Sequence, residues 1–272
     1  MNIGQALILG IVQGLTEFLP VSSSGHLVLG RVLLGIPEQG IVFEVFVHFG
    51  TLLAVLLAFR KDIWAMILSF FKVLKVLFSP AKLSAQYRND ADLRMAIYII
   101  LGTIPAVIIG LAFEDAIENA FNDPHLVCIM LIVTAAILFS TYFIKSPGKE
   151  LSLGKSLIIG LAQSLAILPG ISRSGSTISF GMFFKVSGNE AARFSFLLSI
   201  PAILGATVLK SGELISTGIA PGYAVILLVG TLAAFISGFV AIKSLLNIVR
   251  KGKLYWFAPY CLLVGIIGLL FI

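Results

Sequence analysis

Long runs of apolar residues, separated by polar connections, dominate the hydrophobic pattern of this chain. Six runs are each close to the roughly 20 residues that a membrane-spanning helix needs. They cover residues 41–59, 95–113, 125–144, 191–209, 222–242 and 254–272. They predict an all-α polytopic integral membrane protein. A further segment, residues 62–79, carries Lys72 and Lys75 and is predicted to be an amphipathic helix on the cytoplasmic membrane surface.

Two shorter apolar runs form an internal repeat. Residues 6–29 read ALILGIVQGLTEFLPVSSSGHLVL, and residues 156–179 read SLIIGLAQSLAILPGISRSGSTIS. Each copy has a glutamine within its apolar stretch, is broken at a proline and continues into a loop rich in serine and glycine. A broken helix that is duplicated in a membrane protein is typical of a polar site near the middle of the bilayer.

The composition supports a lipid environment. Hydrophobic residues make up 58% of the 272-residue chain and charged residues 12%, against about 25% charged in a soluble domain. The net charge of +6 reflects basic connections between helices, so it does not indicate a nucleic-acid partner. Cys128 and Cys261 lie in separate apolar runs, and their spacing predicts neither a disulfide nor a metal site.

Charges in the connections predict the topology. Residues 114–123 are acidic and lack lysine and arginine, whereas three other connections are basic: 60–94, 145–155 and 243–253. Basic connections face the cytoplasm, so residues 1–40 begin and end outside, and residues 156–190 begin and end inside. Each repeat copy is therefore predicted to be a re-entrant helical hairpin, and both termini are predicted to lie outside.

The whole chain is predicted to be a single membrane domain, residues 1–272, with inverted-topology repeats. Repeat 1 covers about 1–144 and repeat 2 about 150–272. Each half would contain one re-entrant hairpin and three transmembrane helices. The parity of crossings depends on segment 62–79 staying on the membrane surface, because a further crossing there would reverse the second half.

The first repeat copy carries groups suited to catalysis. Gln13 and Glu17 are four residues apart, on one face of a helix. A carboxylate in an apolar run is costly, which makes Glu17 a functional candidate, although a hydrogen-bonded structural role is the alternative. Hydroxyls beside an imidazole offer a nucleophile and an acid/base partner, or equally a set of caps and turns. These residues are Ser22, Ser23, Ser24 and His26.

The second copy carries Arg173 among the hydroxyls of Ser172, Ser174, Ser176 and Thr177. A guanidinium at membrane depth needs an anionic partner, and its fork suits phosphate. Phosphate and Glu17 are the two candidates, and the surrounding donors favour phosphate.

Several smaller predictions follow from the same pattern. Gly25 and Gly175 are expected to supply left-handed turns, and the loops 20–26 and 169–177 are expected to face each other across a polar pocket. The motifs Gly10-xxx-Gly14 and Gly160-xxx-Ser164 are expected to let the two short helices approach closely. His48 is interpreted as a helix–helix hydrogen bond, and Glu190 with Arg193 as a local ion pair.

Two motifs resemble those of the bacterial undecaprenyl-diphosphate phosphatases, also called bacitracin-resistance proteins. The (E/Q)xxxE element is present as Gln13–Glu17 and continues through LTEFLPVSSSGH, and the PGxSRSxxT element runs from Pro169 to Thr177. The resemblance extends along essentially the whole chain. It implies removal of the terminal phosphate from the C55 isoprenoid diphosphate, which yields undecaprenyl phosphate and recycles the lipid carrier of peptidoglycan synthesis. It also implies bacitracin resistance and a site open to the outer face of the bacterial cytoplasmic membrane.

The resemblance also implies roles for individual residues. Glu17 with Gln13 would hold a divalent cation, Mg²⁺ or Ca²⁺; the neutral Gln13 weakens any site made of two carboxylates. Either Ser23 or His26 would attack phosphorus while the other handles the proton, and Ser23 is favoured. The diphosphate would be held by Arg173 and by the hydroxyls of Ser22, Ser24, Ser172, Ser174, Ser176 and Thr177.

Two other classes of function stay open. A secondary transporter or flippase of an anionic lipid phosphate would use the same inverted repeat, alone or as a second activity. An intramembrane serine protease would use serine and histidine but leaves Arg173 without a role. The sequence does not decide between a monomer and a homodimer.

Overall fold

The computed structural model describes residues 1–36, 41–76, 78–144, 148–217 and 223–271. Lys145, at the start of the predicted basic connection 145–155, lies outside these ranges, as do residue 222 and residue 272 at the ends of two predicted spans. Within the described ranges the secondary structure is helical, apart from an isolated bridge between Lys149 and Val186.

Thirteen α-helices follow one another in the described parts of the chain. They are α1 (Ile3–Phe18), α2 (Ser23–Leu33), α3 (Ile41–Ala58), α4 (Arg60–Leu74), α5 (Pro80–Asn89), α6 (Ala91–Ala112), α7 (Glu114–Phe121), α8 (Pro124–Ser140), α9 (Leu153–Leu165), α10 (Arg173–Phe183), α11 (Gly188–Thr217), α12 (Tyr223–Arg250) and α13 (Ala258–Phe271). Short 3-10 turns extend α8 over Thr141–Phe143 and precede α13 over Leu254–Phe257.

Five helical segments of the described chain have the length and composition to cross a membrane. They are Ala91–Ala112, Pro124–Phe143, Gly188–Val208, Tyr223–Arg250 and Leu254–Phe271. The predicted run 41–59 forms α3, and it makes a sixth segment if α3 and α4 are counted as one span bent by 76°. The prediction of a polytopic all-α membrane protein is therefore confirmed at this level.

Helix α4 covers most of the segment predicted to lie on the membrane surface. It turns away from α3 by 76°, and its Trp64, Phe70 and Phe71 are exposed. Its placement relative to the membrane stays a prediction. Arg193 on α11 pairs with Asp62 of this helix and lies 3.9 Å from Asp92. The predicted pairing of Arg193 with Glu190 is therefore wrong, because these two carboxylates lie at the guanidinium.

The two repeat copies form the same local structure. Each begins with a short apolar helix, α1 or α9, which ends before a loop and is followed by an 11-residue helix, α2 or α10. A serine caps each second helix: Ser22 Oγ accepts from the Gly25 amide at 3.3 Å, and Ser172 Oγ accepts from the Gly175 amide at 3.1 Å. Both caps satisfy amides that have no partner inside the helix.

The short helices pack on long helices of the opposite half. Gly10 and Gly14 of α1 lie against the backbone of α12, so closely that a methyl group on either would overlap it. Gly160 of α9 lies in the same way against the carbonyl group of Gly102 on α6. The prediction that these motifs bring the two short helices together is therefore wrong: their three glycines lie against long helices instead, and Ser164 Oγ donates to the Gly160 carbonyl oxygen of its own helix at 3.1 Å.

The predicted left-handed glycines are also placed differently. Positive φ angles occur at Ser22, at 69°, and at Gly170, at 95°, but not at Gly25 or Gly175. Gly25 and Gly175 lie in the first turns of α2 and α10, where the lack of a side chain permits contact with the other loop. For Ser22 this conformation costs on the order of 1–3 kcal/mol, so the surrounding contacts must hold it.

Candidate active site

The loops of the two repeat copies are in direct contact. A methyl group on Gly25 would lie 3.2 Å from the Gly170 Cα, and one on Gly175 would lie 3.3 Å from the Pro20 Cβ. Ser174 Oγ donates to the Leu19 carbonyl oxygen at 3.3 Å. The prediction that loops 20–26 and 169–177 come together is confirmed, and the polar pocket expected between them stays a prediction. As a result, the N-termini of α2 and α10 meet in one region, and both carry the positive end of a helix dipole.

Glu17 is the centre of a hydrogen-bond network at this junction. Arg173 Nη2 donates to Glu17 Oε1 at 2.6 Å, Ser23 Oγ donates to Oε2 at 2.6 Å, and Gln13 Nε2 donates to Oε2 at 3.0 Å. The side chain of Glu17 is 8% exposed and that of Arg173 is 15% exposed. The predicted alternative of an ion pair between Arg173 and Glu17 is therefore present in the structure.

Helix α11 braces Arg173 from the other side. Arg173 Nη1 donates to the Ser195 carbonyl oxygen at 3.3 Å. Thr177 Oγ1 donates to the Arg173 carbonyl oxygen at 2.7 Å and lies 2.6 Å from Ser195 Oγ, which must then be the donor. Ser195 was missed by the sequence analysis. Its hydroxyl is fully buried in the fold, but a serine in the apolar run 191–209 carries no separate signal in the sequence.

The remaining hydroxyls of the second loop are buried and hold the loop together. The Ser172 amide donates to Thr134 Oγ1 at 3.0 Å, and Thr134 donates to the Gly170 carbonyl oxygen at 2.8 Å. Ser172 Oγ and Ser174 Oγ are 3.3 Å apart. Ser176 is also buried. A phosphate-binding role for these hydroxyls stays a prediction, because the contacts in which Ser172 and Ser174 take part lie within the protein.

The first loop repeats this arrangement, with Ser22 Oγ 3.3 Å from Ser24 Oγ, and it orients His26. Nδ1 of His26 lies 2.8 Å from the Ser22 carbonyl oxygen, and Nε2 lies 2.7 Å from the Tyr260 hydroxyl. The predicted pair of Ser23 and His26 is therefore not brought together here: Ser23 contacts Glu17, and Tyr260 of α13 contacts His26. Tyr260 was not identified from the sequence.

His48 belongs to the same region, contrary to its interpretation as a helix–helix hydrogen bond. Its Nδ1 lies 2.7 Å from the Glu44 carbonyl oxygen of its own helix, which directs Nε2 toward Glu17 Oε2 at 3.9 Å. Glu44 Oε1 in turn lies 3.8 Å from Arg31 Nη1. An imidazole and a carboxylate one turn apart in an apolar run are costly, but this pattern does not show which neighbouring helix they face.

The oxygen atoms beside Glu17 suit a cation that is held partly by the protein and partly by the substrate. No group of three or more His, Cys, Asp or Glu side chains that could hold a metal occurs in the described residues. Gln13 Oε1, however, is buried without a hydrogen-bond partner there, beside the carboxylate of Glu17. Mg²⁺ is commonly held by one or two carboxylates together with substrate phosphates and waters. Gln13 and Glu17 therefore fit such an ion, and they do not form a complete cage.

Comparison with known proteins places the chain in a family. Residues 6–267 match the family model described as bacitracin resistance protein BacA. The undecaprenyl-diphosphatase of Desulforapulum autotrophicum is 45% identical over 99% of this chain and 98% of that protein. The proteins of the same name from Korarchaeum cryptofilum, 46% identical over 98% of each chain, and Salinibacter ruber, 41% identical over 97% of each chain, are similar over nearly the same length. With its motifs, its paired loops and its full-length similarity, this chain belongs to the BacA family of bacitracin resistance proteins.

Proposed function

We propose that this chain is an undecaprenyl-diphosphatase, which hydrolyses undecaprenyl diphosphate to undecaprenyl phosphate and inorganic phosphate. The product is the lipid carrier of cell-wall synthesis in its recycled form, and the matched family is described by its bacitracin resistance. The name of the curated relatives supports this activity. The single observation that carries it is the convergence of Arg173 and Ser23 on Glu17 between two helix N-termini.

The junction is suited to a diphosphate. The N-termini of α2 and α10 bring backbone N–H groups and partial positive charge to one place. Arg173 adds a full positive charge and a fork of donors. Glu17 neutralises that charge before substrate arrives, so a bound diphosphate would compete with Glu17 for the guanidinium. Substrate binding would thereby release Glu17 Oε1 from its ion pair.

Ser23 is the nucleophile that the contacts favour. Its hydroxyl already donates to Glu17 Oε2 at 2.6 Å, which provides an acceptor for its proton. Ser23 Oγ would attack the terminal phosphorus, and the bond from that phosphorus to the bridging oxygen would break. Undecaprenyl phosphate then leaves and a phosphoserine remains. Water hydrolyses the phosphoserine, which gives inorganic phosphate and restores the hydroxyl.

His26 and the cation complete the proposal. Nε2 of His26 is the nitrogen that is not used by the backbone, and we assign it the proton of the water in the second step. Gln13 Oε1 and Glu17 would hold the Mg²⁺ or Ca²⁺ ion. Such an ion supplies charge neutralisation at phosphate oxygens when it is bound. Arg173 and the two helix N-termini provide the same kind of stabilisation from the protein itself.

The membrane arrangement is proposed to be an inverted repeat with two re-entrant hairpins. The matching folds of α1–α2 and α9–α10 support it, as does their reciprocal packing on α12 and α6. The broken helices would bring the site to the depth of the substrate headgroup in the bacterial cytoplasmic membrane, open to its outer face. The isoprenoid tail would leave laterally between helices into the bilayer.

The same reciprocal packing favours a second candidate, a transporter or flippase of an anionic lipid phosphate, since inverted repeats with broken helices are a common transporter plan. Phosphate release separates the two. Purified protein in detergent is given C55 isoprenyl diphosphate with Mg²⁺ or Ca²⁺ and with EDTA, as wild type and as Arg173→Ala. Release that requires the cation and collapses in the variant supports the diphosphatase. A folded wild type that binds the lipid and releases no phosphate contradicts it and favours the transporter.

A further inference from the structure

The two nitrogens of His26 are held by different partners. Nδ1 lies 2.8 Å from the Ser22 carbonyl oxygen, which can only accept, so Nδ1 carries the hydrogen. In the neutral ring Nε2 is then the acceptor, and the Tyr260 hydroxyl, 2.7 Å away, must donate to it. The tautomer and the orientation of the imidazole are thus set by the backbone on one side and by Tyr260 on the other.

The Tyr260 ring also lies beside the imidazole, edge to edge and nearly parallel to it. The two ring centroids are 5.6 Å apart and the ring planes differ by 8°. Tyr260 lies in α13, the last of the described helices, whereas His26 lies in the first turn of α2. The Sγ–H group of the next residue, Cys261, donates to the Pro20 carbonyl oxygen, with 3.7 Å between the sulfur and the oxygen. Two successive residues of α13 therefore contact the first loop and fix α13 against it.

Tyr260 is more than a core residue, because 45% of it is exposed. Its hydroxyl occupies the one imidazole nitrogen that could reach a substrate, since the Ser22 carbonyl oxygen holds the other. A group in that place controls when Nε2 is available and in which direction it points.

We propose that Tyr260 is a positioning residue of the active site. It holds His26 in the tautomer protonated at Nδ1 and presents Nε2 toward the reacting phosphate. When a phosphoryl group or the attacking water arrives, Nε2 exchanges the Tyr260 hydroxyl for the new partner while the bond from Nδ1 to the Ser22 carbonyl oxygen keeps the imidazole in place. This inference rests on the proposed function and adds a residue from the end of the chain to its machinery.

A double-mutant cycle for phosphate release tests the proposal. Tyr260→Phe keeps the ring contact and removes the hydroxyl, and it is expected to lower kcat by about tenfold with little change in KM, the effect of one lost hydrogen bond of about 1.4 kcal/mol. Tyr260→Leu also removes the ring beside the imidazole, and its loss of kcat is expected to approach that of His26→Gln. In the His26→Gln background, Tyr260→Phe should cause no further loss, because residues that act through one another are not additive.

Two further measurements separate positioning from a general structural role. The chain has three histidines, so the ¹⁵N resonances of labelled imidazoles can be assigned by substitution. The Nε2 resonance of His26 is expected to move downfield in Tyr260→Phe, as an acceptor that loses its donor does. Tyr142→Phe is the matched control: Tyr142 is exposed and stacks on Phe139, so its variant should leave kcat and the His26 resonances as in wild type.

The outcomes distinguish this inference from the proposed function. If wild type releases phosphate and Tyr260→Phe matches it in kcat and in the Nε2 resonance, the positioning role is overturned. It is also overturned if Tyr260→Phe lowers kcat equally with and without His26, since Tyr260 then acts independently of the imidazole. If wild type itself releases no phosphate, the proposed function has failed. The shift of the His26 Nε2 resonance then remains as the test of its contact with the Tyr260 hydroxyl.

Discussion

In a Glu17→Gln variant, the side chain keeps its size and loses the negative charge that neutralises Arg173. The guanidinium and the carboxylate are 2.6 Å apart at their nearest atoms and are largely buried. For unit charges about 4 Å apart, the attraction is about 4 kcal/mol at an effective dielectric constant of about 20. In wild type, a bound diphosphate must replace that attraction. In the variant it meets a guanidinium that has no charged partner.

We therefore expect the variant to bind inorganic pyrophosphate at least about tenfold more tightly than wild type, which corresponds to about 1.4 kcal/mol. That is a fraction of the Coulomb attraction, because the freed guanidinium relaxes and is partly solvated. Turnover should change in the opposite direction. With the proton acceptor of Ser23 neutralised, kcat should fall by about 10²- to 10⁴-fold. Opposite changes in binding and turnover distinguish this account from simple misfolding, which weakens both.

The assay is isothermal titration with pyrophosphate in EDTA, so that a cation held by Glu17 does not contribute. Glu44→Gln is the matched control, since Glu44 is a partly buried carboxylate whose ion-pair partner is Arg31. Its variant should change the affinity for pyrophosphate much less. Unchanged or weaker binding by Glu17→Gln in EDTA would refute the view that Glu17 occupies Arg173 in competition with the substrate. Weaker binding that appears only with Mg²⁺ would instead indicate that holding the cation is the dominant role of Glu17.

Three further predictions concern other parts of the site and the fold. Ser23→Ala should lower the rate of phosphate release at least about 10³-fold. Ser24→Ala keeps the bond from Ser23 to Glu17 and should lower the rate far less. Equal losses in the two variants would contradict Ser23 as the nucleophile. Gln163→Leu should raise the midpoint temperature of thermal unfolding, because both polar atoms of the Gln163 amide are buried without a partner in the described structure. Each such buried atom lowers the stability by about 1–3 kcal/mol. A lowered midpoint would mean that Gln163 has an ordered partner. Gly160→Ala should destabilise the protein by about 1–3 kcal/mol, because its methyl group would overlap a carbonyl group of α6. Gly154→Ala should not destabilise it, because the space around Gly154 is open. Denaturant titration of both variants tests this difference.

The spanning helices could be predicted because lipid imposes a strong pattern on the sequence. Each needs about 20 apolar residues and must satisfy its backbone internally, and the described helices coincide with the predicted runs in position, although α12 continues to Arg250, into the predicted connection 243–253. The break within each repeat copy was visible for a similar reason, since proline, serine and glycine interrupt an apolar run. Hydropathy carries no information on which helices pack together, so the contact of α1 with α12 was not predicted.

The site could be predicted in part. Arg173, Glu17 and Ser23 stood out because charged and polar groups at membrane depth are costly, and the repeat indicated that their loops meet. Tyr260 and Ser195 were missed because each is ordinary in its own helix and gains its role only through a contact with a distant part of the chain. For His48 the predicted contact, a helix–helix hydrogen bond, was wrong. Its hydrogen bond is to the Glu44 carbonyl oxygen of its own helix. The direction of its second nitrogen depends on how α3 packs on α1, which the sequence does not show.

Trapping the phosphorylated protein tests most directly the claim that Ser23 receives the phosphoryl group. C55 isoprenyl diphosphate labelled in its terminal phosphate is mixed with excess protein and quenched in denaturant at neutral pH within one turnover, and the protein is digested and mapped before and after treatment with acid. The account predicts acid-stable label on the peptide that carries Ser23, and none in Ser23→Ala. Acid-labile label on His26, or phosphate release by Ser23→Ala at the wild-type rate, would contradict it.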